Sequence, residues 1–178
     1  MTLQVAFITG RSQPDNSALS PAQRAFIEAL DLPGGAVNFP WPAQTQCWTQ
    51  TPLIRASLNN ARDYLYSRRP AFARTYQDEA LALLASADRT LLLAGSCGLE
   101  LFNNLQLPAM QLSRVNVFAY GPVARRRPDC RHLLVQGQQD WISRLWFPKA
   151  DERIRCGHMN YLAQPELAAL CRRFIRTF

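Results

Sequence analysis

The apolar residues of this chain gather into short, largely continuous runs rather than alternating one by one with polar ones. Six segments read as strands: Val5–Ile8, Ala36–Phe39, Thr90–Ala94, Val115–Tyr120, His132–Gln136 and Glu152–Cys156. They are closed by Gly10, Pro40, Gly95, Gly121, Gly137 and Gly157. Strands that are apolar on both sides are buried on both faces, which is the habit of a parallel sheet covered by helices. Between them the apolar spacing lengthens to that of a helix. Pro21–Leu30 places Ala22, Phe26, Ala29 and Leu30 on one side, with Ser20 as an N-cap before Pro21. Leu53–Tyr66 and Phe72–Ala85 form a helical pair divided near Pro70, Cys97–Leu105 follows the third strand, and Pro165–Phe178 closes the chain. Strand–helix alternation predicts an α/β fold, an open and mostly parallel sheet of about six strands flanked by helices with right-handed crossovers. No linker or repeat divides residues 1–178, so one domain is expected.

Composition narrows the class. With 178 residues, 48% hydrophobic and 19% charged, the chain is globular and long enough to build its own core. No apolar run approaches the ~18 residues of a membrane span. The first residues, Met1 to Gly10, read as a strand and lack the features of a signal peptide, so a cytoplasmic protein is expected. The five cysteines are odd in number and show no C-x-x-C spacing, which argues against a disulfide framework or a zinc site. The net charge of +7 can attract nucleic acid, anionic lipid or acidic partners. Neither Arg125–Arg127 nor Arg172–Arg173 is interleaved with aromatics, so a nucleic-acid groove is not expected.

In open α/β sheets reactive groups sit past the carboxyl ends of strands. After the third strand comes Ala94-Gly95-Ser96-Cys97-Gly98 and then a helix. A strand, a tight turn of small residues around a serine, and a helix make a nucleophile elbow, in which the residues two before and two after the serine must be small. Ala94 and Gly98 meet that need. The turn would raise the Ser96 hydroxyl and put the Cys97 N–H at a helix start, facing a developing oxyanion. Cys97 as nucleophile would need small residues at Gly95 and Leu99, and Leu99 is too bulky, so Ser96 is favoured. A serine needs a base and the base an acid. His132 opens a strand, at the wrong end of the sheet. His158 follows the last strand and Asp140 follows the fifth. Ser96, Asp140 and His158 thus each lie just past a different strand. Each alone has an ordinary alternative: a common small-residue turn, a helix cap, a structural histidine.

The elbow, Gly137-Gln138-Gln139-Asp140 and Gly157-His158 together resemble the corresponding segments of the α/β-hydrolase superfamily, with Ala94 in place of the elbow's first glycine. The chain is similar to a minimal, cap-less member that begins at the family's third strand. The resemblance implies a serine hydrolase cleaving carboxylic esters or thioesters through an acyl-enzyme on Ser96, with no metal and no organic cofactor. It also implies a second oxyanion donor in the loop Thr9-Gly10-Arg11-Ser12, the Arg11 N–H. A catalytically inactive binding or scaffold protein and an acyltransferase are the alternatives. Trp41, Trp48, Tyr64, Tyr66, Phe72 and Tyr76, in the stretch from Pro40 to Ala85, could wall an acyl pocket on one side, and Trp141, Ile142, Trp146 and Phe147 on the other. Arg125, which heads Arg125–Arg127 near the same edge, could capture a coenzyme A phosphate or an acidic carrier protein. The oligomeric state is open.

Overall fold

Six strands form one all-parallel sheet in the computed structural model, which describes residues 2–32, 36–42 and 46–178. Met1, at the start of the N-terminal stretch, and residues 43–45, within the stretch from Pro40 to Ala85 read as a pocket wall, lie outside the described residues, as do residues 33–35. The strands are β1 (Leu3–Ile8), β2 (Val37–Phe39), β3 (Arg89–Gly95), β4 (Val115–Tyr120), β5 (Arg131–Gly137) and β6 (Glu152–Ile154). Their order across the sheet is β2-β1-β3-β4-β5-β6. Successive residues of a strand point to opposite faces. Accordingly Val5, Phe7, Leu91 and Leu93 join one apolar cluster, while Ala6, Ile8, Leu92 and Ala94 join another. Both faces are dry, which is why these strands read as continuous apolar runs.

Helices cover each face. On one, α1 (Pro21–Leu30) and α7 (Pro165–Ile175) bury Phe26, Leu30, Leu167 and Phe174. On the other, α3 (Pro70–Ala85) and α4 (Gly98–Asn104) bury Phe72, Leu84, Leu99 and Phe102, and α2 (Leu53–Ser67) packs against both. Ser20 caps α1 through a reciprocal box with Gln23, and Pro21 occupies its first turn. Pro70 opens α3, where its missing N–H is harmless, so it starts a helix as well as dividing two. Two short helices were not expected, α5 (Ala109–Leu112) and α6 (Trp141–Trp146). The last strand is shorter than read, because the Cys156 N–H turns back to the Ile154 carbonyl. Among the described residues no helix is long and apolar enough to cross a membrane.

The strand order decides where a site can form. β1 has β2 on one side and β3 on the other, so successive connections leave it in opposite directions. That reversal opens a crevice past the carboxyl ends of β1 and β3. The loop from Thr9 to Ser12 and the turn at Ser96 both border it.

Candidate active site

Ser96 takes a backbone conformation that L-residues avoid, with φ at +50°. Its neighbours enforce it: the Ser96 N–H donates to the Tyr120 carbonyl (3.2 Å), and the Ser96 carbonyl accepts from the Val123 N–H (2.9 Å). Held between β3 and the chain leaving β4, the turn has no room to relax. Gly98 completes it. A Cβ at that position would stand 1.8 Å from the Ile8 carbonyl oxygen, so α4 can cross β1 this closely only without a side chain. Ala94 is fully buried beneath the turn.

The other two residues arrive from separate loops. Ser96 Oγ lies 3.0 Å from His158 Nε2, and His158 Nδ1 lies 2.9 Å from Asp140 Oδ2. Two backbone bonds lash the acid loop to the histidine loop, Gln138 N–H to the Ile154 carbonyl (2.8 Å) and Gln139 N–H to the Cys156 carbonyl (3.1 Å). Asp140 is completely buried. Burial pushes its pKa up, but hydrogen bonds from His158, the Ser143 N–H and the Tyr161 hydroxyl outweigh this and hold it below the ordinary carboxylate range. The carboxylate is therefore ionised and can only accept. Nδ1 of His158 must donate to it, and the lone pair of Nε2 then faces the Ser96 hydroxyl. That geometry can draw the hydroxyl proton onto the imidazole.

Asp140 has two duties. Its Oδ1 accepts from the Ser143 N–H (3.0 Å) and caps α6, while Oδ2 takes both His158 and the Tyr161 hydroxyl (2.6 Å). Tyr161 in turn accepts from the Gly137 N–H (2.6 Å). Burial, and next the Asp140 carboxylate, raise the Tyr161 pKa, so the phenol stays protonated and donating. The chain pattern does not disclose Tyr161, because its partners stand 21 and 24 residues away.

Around the hydroxyl, Cys97 immediately precedes α4 and lies within the same cavity wall as Ser96. Burial, with the nearby Asp63 charge adding to it, pushes its thiol pKa up to about 12. A neutral thiol is a poor nucleophile, and it is the Ser96 hydroxyl that stands within hydrogen-bond reach of His158 Nε2. The Arg11 N–H does not meet the expectation placed on it. It donates to Asp63 Oδ2 at 2.7 Å, and the guanidinium closes on the same carboxylate at 2.9 and 3.2 Å. Arg11 also lies 3.8 Å over the Trp41 ring. A donor held by a buried carboxylate is not free for a developing oxyanion, so the Arg11 assignment is corrected.

The crevice is a cavity of about 780 Å³ bordered by Ser96, Cys97, His158, the Thr9–Gln13 loop and one side of α2. Among the described residues no Asp or Glu lines it. Trp146 does, its ring tilted against that of Tyr64 with centroids 5.5 Å apart. Trp141 does not line it: the helix turns that side chain outward and presents Ile142 instead. Phe147 is buried, so only Trp146 of that pair is exposed. Arg125 is not at the cavity either. Its Nε donates to Glu100 Oε1 (2.7 Å) and its N–H to Oε2 (2.9 Å), neutralising a carboxylate buried in α4. Arg126 pairs with Asp129 and Arg127 with Asp151, so each arginine of the run has a carboxylate partner. His132 bonds the Cys130 carbonyl and Arg127 at the amino end of β5. Asn60, unremarked in the sequence, lines the cavity, and its buried Oδ1 has no partner among the described residues.

Among the described residues no group of three or more His, Cys, Asp or Glu could hold a metal ion. No protein-family model matches the chain, and no curated protein matches it.

Proposed function

We propose that this protein is a serine hydrolase that cleaves esters or thioesters of uncharged acyl groups, on an α/β-hydrolase-like scaffold without a cap. The observation that carries the proposal is the unbroken relay Asp140–His158–Ser96, with links of 2.9 and 3.0 Å at a cavity that no described carboxylate lines. Ser96 Oγ attacks the acyl carbonyl while its proton passes to Nε2 of His158. Asp140 fixes the imidazole and stabilises the imidazolium. The Cys97 N–H, at the start of α4, faces the oxygen on which negative charge develops. The imidazolium then protonates the departing alcohol or thiol. Water, activated by the same imidazole, releases the acid and restores the hydroxyl.

The lining supports an apolar acyl chain. Among the described residues, the ionisable groups lining it that carry or acquire positive charge are Arg11, already held by Asp63, and His158. A polyanionic leaving group such as coenzyme A has no free cation waiting inside.

The test is turnover of p-nitrophenyl butyrate with labelling by a fluorophosphonate probe. The wild-type chain should be modified at Ser96 and show a burst. Ser96→Ala should lose both, with turnover down at least a thousandfold. Undiminished turnover in that variant would end the proposal.

A further inference from the structure

We propose that the mouth of the cavity is a docking face for an anionic lipid surface, with helix α2 lying along that surface. The inference goes beyond hydrolysis and does not depend on it. Successive residues of a helix step by about 100°, so the faces of α2 can be read in turn. Leu53, Ser57, Asn60 and Tyr64 face the cavity. The next arc carries Ile54, Leu58 and Leu65, all exposed, Ile54 at 79%. The arc after that carries Arg55 and Arg62, two turns apart, and Arg68 and Arg69 stand at the helix end. The only acid of α2 is Asp63, which is buried and held by Arg11. None of the four arginines is in an ion pair among the described residues.

The far side of the mouth repeats the composition. Helix α6 leaves Trp141 and Leu145 exposed, Leu145 at 74%, beside the cavity-lining Ile142 and Trp146. Met159, next to His158, is exposed as well. Helix α6 contributes Arg144 and no exposed carboxylate. An apolar rim beside unpaired arginines suits a helix in the interfacial plane, apolar stripe toward the acyl chains and cations toward the headgroup phosphates. Arg62 and Arg69 also border a separate cavity of about 410 Å³, shared with Arg11 and the Asp63 carboxylate that Arg11 neutralises, so its lining keeps a net positive charge that suits an anionic headgroup. A second copy docking by the same face would set arginines against arginines, which disfavours a self-interface.

The experiment is flotation with vesicles of phosphatidylcholine alone and of phosphatidylcholine with about one third phosphatidylglycerol. The protein should float with the anionic vesicles only, and its tryptophan fluorescence should shift to the blue as Trp141 and Trp146 enter the interface. Ser96→Ala should float equally well, which separates docking from catalysis. Arg55→Gln/Arg62→Gln/Arg69→Gln should lower the partition coefficient on the order of a hundredfold, at about fivefold per arginine. Leu58→Glu should lower it at least tenfold. Both variants alter exposed side chains and should keep the wild-type Tm and turnover of a soluble short-chain ester. No partition to either vesicle type would overturn the proposal and leave the face to an acidic protein, and equal partition to both or an unchanged arginine variant would overturn it as well. A concentration-dependent dimer in sedimentation velocity that Leu58→Glu abolishes would overturn it too.

Discussion

At the scale of single residues, the site stores strain and neutralises rivals. Ser96 at φ +50° is in a region that disfavours any Cβ by about 1–2 kcal/mol. Ser96→Gly should therefore be more stable than Ser96→Ala by roughly 1 kcal/mol in chemical denaturation, although both lack the hydroxyl. Equal stabilities would mean the turn relaxes once the side chain is lost. The cysteines divide as sharply. Burial pushes Cys97 and Cys130 up to about 12 and Cys156 up to about 11, while Cys47 is exposed. Iodoacetamide at about pH 8 should alkylate Cys47, spare Cys97 and leave ester turnover intact, as peptide mass mapping and a parallel assay would show. Tyr161 is a positioning residue: its hydroxyl gives to Asp140 and takes from Gly137. Tyr161→Phe removes a bond to a buried charge and should cost about 2 kcal/mol in unfolding free energy. It should also lower kcat about tenfold with KM nearly unchanged, a split that loss of fold alone would not give.

At the scale of elements, the tightest demand is the crossing of α4 over β1 at Gly98. A methyl there would overlap the Ile8 carbonyl, and backbone cannot swing aside as a long side chain can. Gly98→Ala should destabilise by about 3 kcal/mol or more, and fluorophosphonate labelling of Ser96 should fall with it. A near-native Tm in that variant would show that the helix tolerates a shift. Strands and the longer helices were legible because each buries a full face or stripe, and burial is what writes a period into sequence. Helix α6 was not, since Trp141, Leu145 and Trp146 are exposed and leave no buried stripe to read. The positions of Ser96, Asp140 and His158 past three strand ends were legible for the same reason as the strands. What was hidden is pairing across the chain. Glu100 takes Arg125 from 25 residues away, and Asp63 takes Arg11 from 52. No local pattern announces such partners, so two arginines read as free are bound. Asp140 shows the converse: the ordinary alternative of a helix cap and the placement beside His158 are both true of one carboxylate.

At the scale of the molecule, one buried charge ties the carboxyl edge of the sheet together, and acid should loosen it. Asp140 holds the start of α6, the histidine loop and the Tyr161 turn at once. Its folded-state pKa lies below the ordinary value, whereas in the unfolded chain it returns to about 3.9. Between those values the unfolded state binds the proton more readily than the folded one. The stabilisation is therefore fully present above about pH 4 and is lost as pH falls through the lower, folded value. Asp140→Asn keeps the size of the side chain and removes the titration. The unfolding free energy of wild type should exceed that of the variant at neutral pH, and the gap should shrink once the pH drops below about 4. Urea denaturation of both chains at neutral pH and near pH 3 measures it directly. A gap of the same size at both would mean that the three donors hold the shape of the residue and not its charge.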